Sequence, residues 1–151
     1  MEIRDVKEQK ALAVNLTTPF SELPNVIGKV YGEIMEYMGR KEIPIKGFPY
    51  VLYHNMDMDN LKIDIGWQID QDDEGEGRIK QTVIPAGKVV YAMHTGPYST
   101  LEKTYNEVMD YMEKEGIKTE EWMYEVYLNS PENTPEDQLK TEIHFPVKSE
   151  K

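Results

Sequence analysis

One acidic residue, Glu125, interrupts an aromatic and aliphatic segment that runs from Trp122 to Leu128. The segment is predicted to be a β-strand, and alternation along it places Glu125 and Tyr127 on one face and Tyr124 on the other. A carboxylate in such a strand either points to solvent or lies in a lined pocket. Burying a lone carboxylate is costly, so a buried one usually has a partner or a function. Glu125 is therefore the first candidate for the charged group of a binding or catalytic site.

Aromatic side chains with a polar edge are the second signal, because the chain has 10 Tyr and 2 Trp but only 3 Phe. Such side chains suit a pocket that stacks on planar or cationic molecules. We expect Tyr31 and Tyr105, which fall on helical stripes, to pack in the core. For aromatic residues on predicted strands, a pocket and the core are both open alternatives. The candidates for ligand binding are Tyr127, Trp67, Tyr53, Tyr91 and Trp122.

The sequence lacks the residues that metal sites, nucleophile elbows and phosphate-binding loops require. The chain has no cysteine, and its three histidines lie on separate predicted strands without a metal-ligand spacing. The acidic segment from Asp70 to Gly77 imitates the start of an EF-hand loop, but Gln81 stands where the loop needs a bidentate Glu. No nucleophile elbow and no phosphate-cradling glycine loop occurs. We therefore expect neither a metal site nor a cofactor.

Length and charge narrow the class of protein. A chain of 151 residues fits one domain, 1–151. The formal net charge of −11 repels phosphate backbones, which argues against direct nucleic-acid binding, and it favours cationic ligands or basic surfaces on partner proteins. The charged N-terminus does not resemble a signal peptide, and no apolar run is long enough to span a membrane. We expect a cytoplasmic protein.

The second half of the chain repeats the order of signals in the first. Pro19 recurs as Pro97, 78 residues later, and Tyr31 recurs as Tyr105, 74 residues later. The halves are 1–69 and 83–151, with a connector at 70–82. Two copies that pair with each other form a seam around a pseudo-two-fold axis, which is a natural place for a ligand. The counterpart of Glu125 in the first half is Val51, so the repeat itself does not require an acid.

Each half is predicted to form a βαββ unit. Apolar residues at helical spacing, including Met35 and Met109, form the buried stripes of two helices. Gly39 and Gly116 are placed to end these helices, and a capping box over 99–102 starts the second. Ile63, Ile65, Trp67 and Ile69 share one face of their strand. The predicted strands are 10–16, 50–54 and 61–69 in the first half, and 88–94, 122–128 and 141–147 in the second. Two helices and short strand links predict an α+β fold with a mostly antiparallel sheet.

Four segments of the second half resemble a known family, the GyrI-like small-molecule-binding domains, also called bacterial transcription-activator effector-binding domains. They occur in the order of that family and are Ile84-Pro85-Ala86-Gly87, His94-Thr95-Gly96-Pro97-Tyr98, Glu125-Val126-Tyr127-Leu128-Asn129 and Thr141-Glu142-Ile143-His144-Phe145-Pro146-Val147. The resemblance implies a tandem βαββ fold with an aromatic cleft between the halves. It also implies that Glu125, beside Tyr127, meets cationic and often lipophilic compounds, as in multidrug-binding relatives.

The chain departs from that family in two respects. Asn129-Ser130-Pro131 replaces an Asn-Asp-Pro turn of many relatives, which is a minor change. Relatives that regulate transcription carry a helix-turn-helix domain, and none fits before Lys10. The expectation is a stand-alone effector-binding domain without its own DNA contact.

Three hypotheses about function follow. The first is a small-molecule receptor or sequestering protein for cationic or aromatic amphiphiles. The second is a hydrolase of strained electrophilic natural products, with Glu125 as general base and Tyr127 assisting the leaving group, as the resemblance implies for some relatives. The third is binding to a protein partner, gyrase or a regulator, or binding of haem through His54, His94 or His144.

Overall fold

The fold, described for residues 1–148 by a computed structural model, is built on eight strands in one sheet. Neighbouring strands in it run antiparallel throughout. The strands are β1 (Glu2–Val6), β2 (Gln9–Thr18), β3 (Pro49–Tyr53), β4 (Leu61–Gln68), β5 (Ile79–Ile84), β6 (Gly87–Thr95), β7 (Met123–Tyr127) and β8 (Lys140–Pro146). Two helices, α1 (Leu23–Arg40) and α2 (Leu101–Glu115), complete the fold. The predicted α+β class and the mostly antiparallel sheet are confirmed.

The strand order is β1-β6-β8-β7-β3-β4-β2-β5, and it is symmetric about its middle. The strands β1 to β4 correspond to β5 to β8, because swapping each strand with its counterpart gives the same order read from the opposite edge of the sheet. The two βαββ units therefore meet through β3 and β7 at the centre of the sheet. The edge strands are exchanged between the units. β1 precedes the first unit in the sequence but pairs with β6 of the second, and β5 precedes the second unit but pairs with β2 of the first.

The two edge strands, β1 and β5, were not predicted from the sequence. β1 alternates charged residues with single apolar ones and is mostly exposed, which is typical of a protected edge. β5 begins at Ile79, so a strand that was not predicted occupies the end of the connector 70–82. Pairing with a neighbouring strand, rather than a strong local pattern, forms both strands.

Helix α1 packs on the first-half strands through Val30, Ile34, Tyr37 and Met38. Met35 is wrongly predicted as part of that stripe, because 38% of it is exposed and the contact stripe is narrower. The helix also passes through Gly39 and ends at Arg40, contrary to prediction.

Helix α2 packs on the second-half strands through Val108 and Met112, while Met109 is 45% exposed and was wrongly predicted as buried. Gly116 ends α2 in the left-handed conformation, with a φ of 66°, as predicted. The predicted capping box is wrong, because no side chain caps this helix and the hydroxyl of Thr100 donates to the carbonyl of Pro97 instead.

The sheet has two different faces. The helix face carries Ile63, Ile65, Trp67 and Ile69, which share one face as predicted and pack in the cluster with α1. The opposite face holds a separate cluster that includes Tyr50, Tyr124 and Val126. In the described part of the chain, neither helix is long and apolar enough to cross a membrane.

Candidate functional site

Glu125 lies at the centre of the sheet, on the face that the helices cover. It occupies the middle of β7, opposite Val51 of β3 on one side and Ile143 of β8 on the other. Both neighbours are fully buried, and only 5% of Glu125 is exposed. The structure therefore selects the buried alternative for this carboxylate over the solvent-facing one.

Two tyrosines donate hydrogen bonds to the carboxylate of Glu125. The hydroxyl of Tyr127, two residues along the same strand, donates to Oε1 over 2.7 Å. The hydroxyl of Tyr105, on α2, donates to Oε2. Burial raises the pKa of Glu125, and these two hydrogen bonds together with the nearby His94 oppose that rise without cancelling it. Each carboxylate oxygen thus has one neutral donor.

Glu125 has no cationic partner among residues 1–148. The ion pairs in that range involve other carboxylates, at the surface or on the opposite face of the sheet. Phenol hydroxyls supply hydrogen bonds but no compensating charge, and the desolvation cost of a buried carboxylate is several kcal/mol. When Glu125 is ionised, no cation among residues 1–148 pairs with its charge.

Three more tyrosines surround the same carboxylate. Burial and the charge of Glu125 raise the pKa values of Tyr31, Tyr53 and Tyr98. Burial and Glu125 also raise the pKa values of Tyr105 and Tyr127, so all of these phenols stay protonated. We call this group the tyrosine cluster: Tyr31, Tyr53, Tyr98, Tyr105 and Tyr127.

Elements of both halves hold the tyrosine cluster in place. Tyr31 of α1 donates its hydroxyl to the carbonyl of Tyr50 over 3.0 Å and packs edge-on against Trp67 at 5.8 Å between ring centroids. Tyr98, just before α2, packs edge-on against Tyr127 at 6.0 Å. The cluster thus spans the seam between the two units.

Two polar residues near the cluster had no predicted role in the site. Nε2 of His94 donates to the carbonyl of Pro97 over 3.0 Å, and Nδ1 of the same ring is hydrogen-bonded to the hydroxyl of Thr104 at 2.6 Å, so His94 anchors the start of α2 beside the site. Thr141 lies opposite both His94 and Tyr127, and its buried hydroxyl has no hydrogen-bond partner in the described chain.

The predicted site residues divide between the two faces of the sheet. Glu125, Tyr127 and Tyr53 come together, and Trp67 joins them through its contact with Tyr31. Tyr91 and Trp122 do not. Their strand positions place them with the opposite face.

On that opposite face, Tyr91 donates its hydroxyl to Glu142 over 2.7 Å and lies under the guanidinium of Arg4. Trp122 stacks on Tyr124 at 6.1 Å. Tyr91 and Trp122 therefore contribute to a second aromatic row on the opposite face of the sheet, which also includes His144 and Tyr124.

Sequence reasoning missed Tyr31, Tyr98 and Tyr105 as site residues. Tyr31 and Tyr105 do pack on helical stripes, as expected, but their hydroxyls point at polar groups of the sheet. A tyrosine rather than a phenylalanine on each stripe was the available signal. A buried phenol needs a hydrogen-bond partner that a core position alone does not supply.

The resemblance implied an aromatic cleft between the halves, and in this structure Glu125 is buried at that position and is only 5% exposed. A groove of about 360 Å³ lies at the start of β7, and Glu125 does not line it. A second pocket lies at the 73–81 turn, away from the tyrosine cluster. We call the first of these the methionine groove; its principal lining residues are Asn55, Met56, Met109, Trp122, Met123 and Phe145.

Comparison with known proteins identifies relatives of this fold and site. The model of the family described as GyrI-like small molecule binding domain matches residues 1–148. No curated protein matches the sequence.

Among solved structures, EcmrR in complex with DNA is 25% identical with a TM-score of 0.83, and the match covers 97% of this chain and 56% of that one. This chain therefore spans little more than half the length of EcmrR. The EcmrR C-terminal domain is 24% identical with a TM-score of 0.78, covering 97% of this chain and 96% of that one. SAV2435 bound to tetraphenylphosphonium is 13% identical with a TM-score of 0.67, covering 97% and 93%. These last two likenesses show a shared fold.

Proposed function

This chain belongs to the GyrI-like small molecule binding domain family, and we propose that it binds lipophilic, aromatic cations at Glu125. The observation that carries the proposal is the buried carboxylate of Glu125, which has hydrogen-bond donors but no cationic partner among residues 1–148. A cation beside it would supply the missing charge inside a low-dielectric site, where the attraction is strongest.

The tyrosine cluster gives the site its preference among cations. Aromatic faces attract cations and stack on flat rings, which favours delocalised or aryl-substituted cations over small hydrated ones such as ammonium. Tyr127 can keep its hydrogen bond to Glu125 while a ligand approaches, so the carboxylate stays oriented. Because the site is closed, binding requires the side chains above Glu125 to move.

Two further observations support this ligand class. SAV2435, which shares the fold, carries tetraphenylphosphonium, a cation with four aromatic groups. The net charge of −11 favours the encounter with cations over anions. Binding would serve sensing in a longer regulator, or sequestration by the domain itself, with gyrase or a regulator as a candidate protein partner.

Calorimetry with a pair of isosteric ions tests the proposal. Tetraphenylphosphonium and tetraphenylborate have the same shape and opposite charge, and we expect the wild type to bind only the phosphonium. Glu125→Gln should weaken that binding at least about tenfold, because the variant loses the attraction between the carboxylate and the cation. Glu142→Gln is the matched control, because Glu142 accepts a tyrosine hydrogen bond on the opposite face. Equal affinity of wild type and Glu125→Gln for the phosphonium would refute the role of Glu125.

The same geometry favours hydrolysis as a second candidate function. Glu125 lies 2.7 Å from the hydroxyl of Tyr127, and burial raises the pKa values of both groups. Glu125 could take a proton from water as the water oxygen bonds to a strained-ring carbon. Tyr127 then protonates the ring carbon whose bond to the attacked carbon breaks, and the proton taken up by Glu125 passes back to Tyr127 along their hydrogen bond.

Product analysis with an activated cyclopropane distinguishes hydrolysis from binding alone. Turnover of many equivalents per protein, lost in both Glu125→Gln and Tyr127→Phe but kept in Tyr91→Phe, would establish a hydrolase. Stoichiometric binding without ring-opened product would leave the protein a receptor.

A further inference from the structure

The methionine groove reaches almost to the Glu125 site. Its floor is formed by Met123 and Phe145, which lie on the same face of the sheet as Glu125. Met123 is two residues before Glu125 on β7, a distance of about 7 Å along a strand. The groove and the carboxylate are therefore neighbouring spaces.

Tyr105 contacts both the carboxylate of Glu125 and two residues that line the groove. Its ring packs edge-on against Phe145 at 5.9 Å, and its hydroxyl lies 3.9 Å from Sδ of Met123. The same hydroxyl donates to Glu125. Displacement of the Tyr105 side chain would join the groove to the tyrosine cluster.

The groove has a distinct chemistry. Met56 and Met109 on its walls are 51% and 45% exposed, so their apolar side chains are accessible to a ligand, and Trp122 adds a flat apolar surface. Unbranched thioether side chains adapt to flexible apolar ligands. Glu120 and Glu121 also line the groove, so its rim repels anionic amphiphiles such as fatty acids.

We propose that the methionine groove is a second subsite, which holds the alkyl chain of an amphiphilic cation whose charged end pairs with Glu125. The inference rests on the proposed function at Glu125 and adds the ligand class. The preferred ligand has an aromatic cationic head and one unbranched apolar tail. Tyr105 is the side chain that moves to connect the two subsites.

A homologous series of alkyltriphenylphosphonium ions, from methyl to decyl and below their micellar concentrations, tests this proposal by calorimetry. In the wild type, affinity should rise with chain length once the tail passes Tyr105, by up to about fourfold for each methylene buried. The double variant Met56→Ser/Met109→Ser should bind the methyl compound as the wild type does and lose most of the gain with length. Because both methionines are exposed, we expect this variant to fold.

Met93→Ser is the matched control, since Met93 is 39% exposed on the opposite face of the sheet. It should keep the full gain with chain length. Binding of the methyl compound without any gain, or a gain that survives in the Met56/Met109 variant, would overturn the subsite while leaving the Glu125 site intact. Failure of the whole series to bind would instead overturn the proposed function.

Discussion

Val51 and Glu125 face each other across the two central strands of the sheet. They are register partners in the β3–β7 pair, and 74 residues separate them in the sequence. Tyr50 pairs with Val126 and Leu52 with Tyr124, so the 74-residue offset maps each of these pairs onto the other. The local symmetry axis therefore passes through the Val51–Glu125 pair, with a valine on one side and a carboxylate on the other.

This position explains why the site has one acid rather than two. Residues directly opposite on antiparallel strands have Cβ atoms about 5 Å apart, and like charges there are destabilising. Two carboxylates at that distance in a buried site could not both stay ionised. A single acid on the axis is the arrangement that keeps a charge available for a ligand.

Exchanging the two residues at the axis should move the site rather than destroy it. The double variant Val51→Glu/Glu125→Val places the acid on β3, where Tyr53 and Tyr31 correspond by the repeat to Tyr127 and Tyr105. We expect it to recover part of the tetraphenylphosphonium binding that Glu125→Val alone loses. The single variant Val51→Glu should lower the melting temperature strongly, because two carboxylates then face each other. A double variant that folds but binds no better than Glu125→Val would show that the two sides are not equivalent.

Removing the charge of Glu125 should stabilise the protein. Its pKa in the unfolded chain is near 4.5, and burial raises it in the folded protein. At pH values between these two pKa values, the folded state binds more protons than the unfolded state. The free energy of unfolding therefore falls as pH rises through this range, and the full destabilisation by the buried charge is present above the folded pKa. Glu125→Gln should therefore be more stable than the wild type at neutral pH, by about 1–2 kcal/mol.

Thermal unfolding across a pH series measures this effect. The gain from Glu125→Gln should disappear at or below the unfolded pKa, where the wild-type carboxyl is protonated in both states. Glu142→Gln serves as the comparison for a carboxylate outside the site. A lower melting temperature of Glu125→Gln at neutral pH would contradict the argument.

Cation affinity should depend on pH through the same carboxylate. Only ionised Glu125 neutralises a bound cation. Because its pKa is raised, a fraction of the protein molecules keeps this carboxyl protonated at pH values where an ordinary glutamate is ionised. Affinity for tetraphenylphosphonium should increase with pH through the folded pKa of Glu125 and then level off. Calorimetry in buffers of different ionisation enthalpy should detect proton release on binding in that range. Glu125→Gln should show neither the pH dependence nor the proton release.

His144 should make the fold sensitive to acid. Its ring is stacked on Tyr124 at 4.4 Å and lies edge-on to Tyr91, and its buried Nδ1 has no hydrogen-bond partner in the described chain. Burial, together with the charge of Arg4, lowers the pKa of His144 from 6.5 to about 4. The unfolded state then binds more protons between those values, so stability is full above pH 6.5 and falls as pH decreases toward 4.

His144→Phe keeps the stacking and removes the titration. Its stability should change less than that of the wild type between pH 6.5 and 4, by on the order of 2 kcal/mol. NMR titration of the imidazole should give a midpoint near pH 4, provided that the protein remains folded there. A midpoint close to 6.5 would show that the ring is not held as described.

Sequence patterns were sufficient for the elements with strong periodicity. The two amphipathic helices, the central strands and the α+β class follow from spacing, because a buried face imposes its period on the residues that form it. Alternation alone also placed Glu125 and Tyr127 on one face of their strand. The four family-like segments led to the family that the comparison then identified.

Local pattern could not supply what depends on pairing between distant segments. β1 and β5 are strands because each pairs with the outermost strand of the other unit. Tyr91 and Tyr127 both lie on strands, but only Tyr127 shares a face with Glu125. The faces of separate strands are related by register, which the sequence of one strand does not contain.

The environment of Glu125 was likewise decided by tertiary structure. The sequence determined that an acid stands in an apolar strand, and it left the solvent-facing and buried alternatives open. Packing of α2 over β7 buries the carboxylate, brings Tyr105 to it and leaves it without a cation among residues 1–148. Whether a charge is solvated or isolated depends on what lies above it in space, and only the folded chain fixes that.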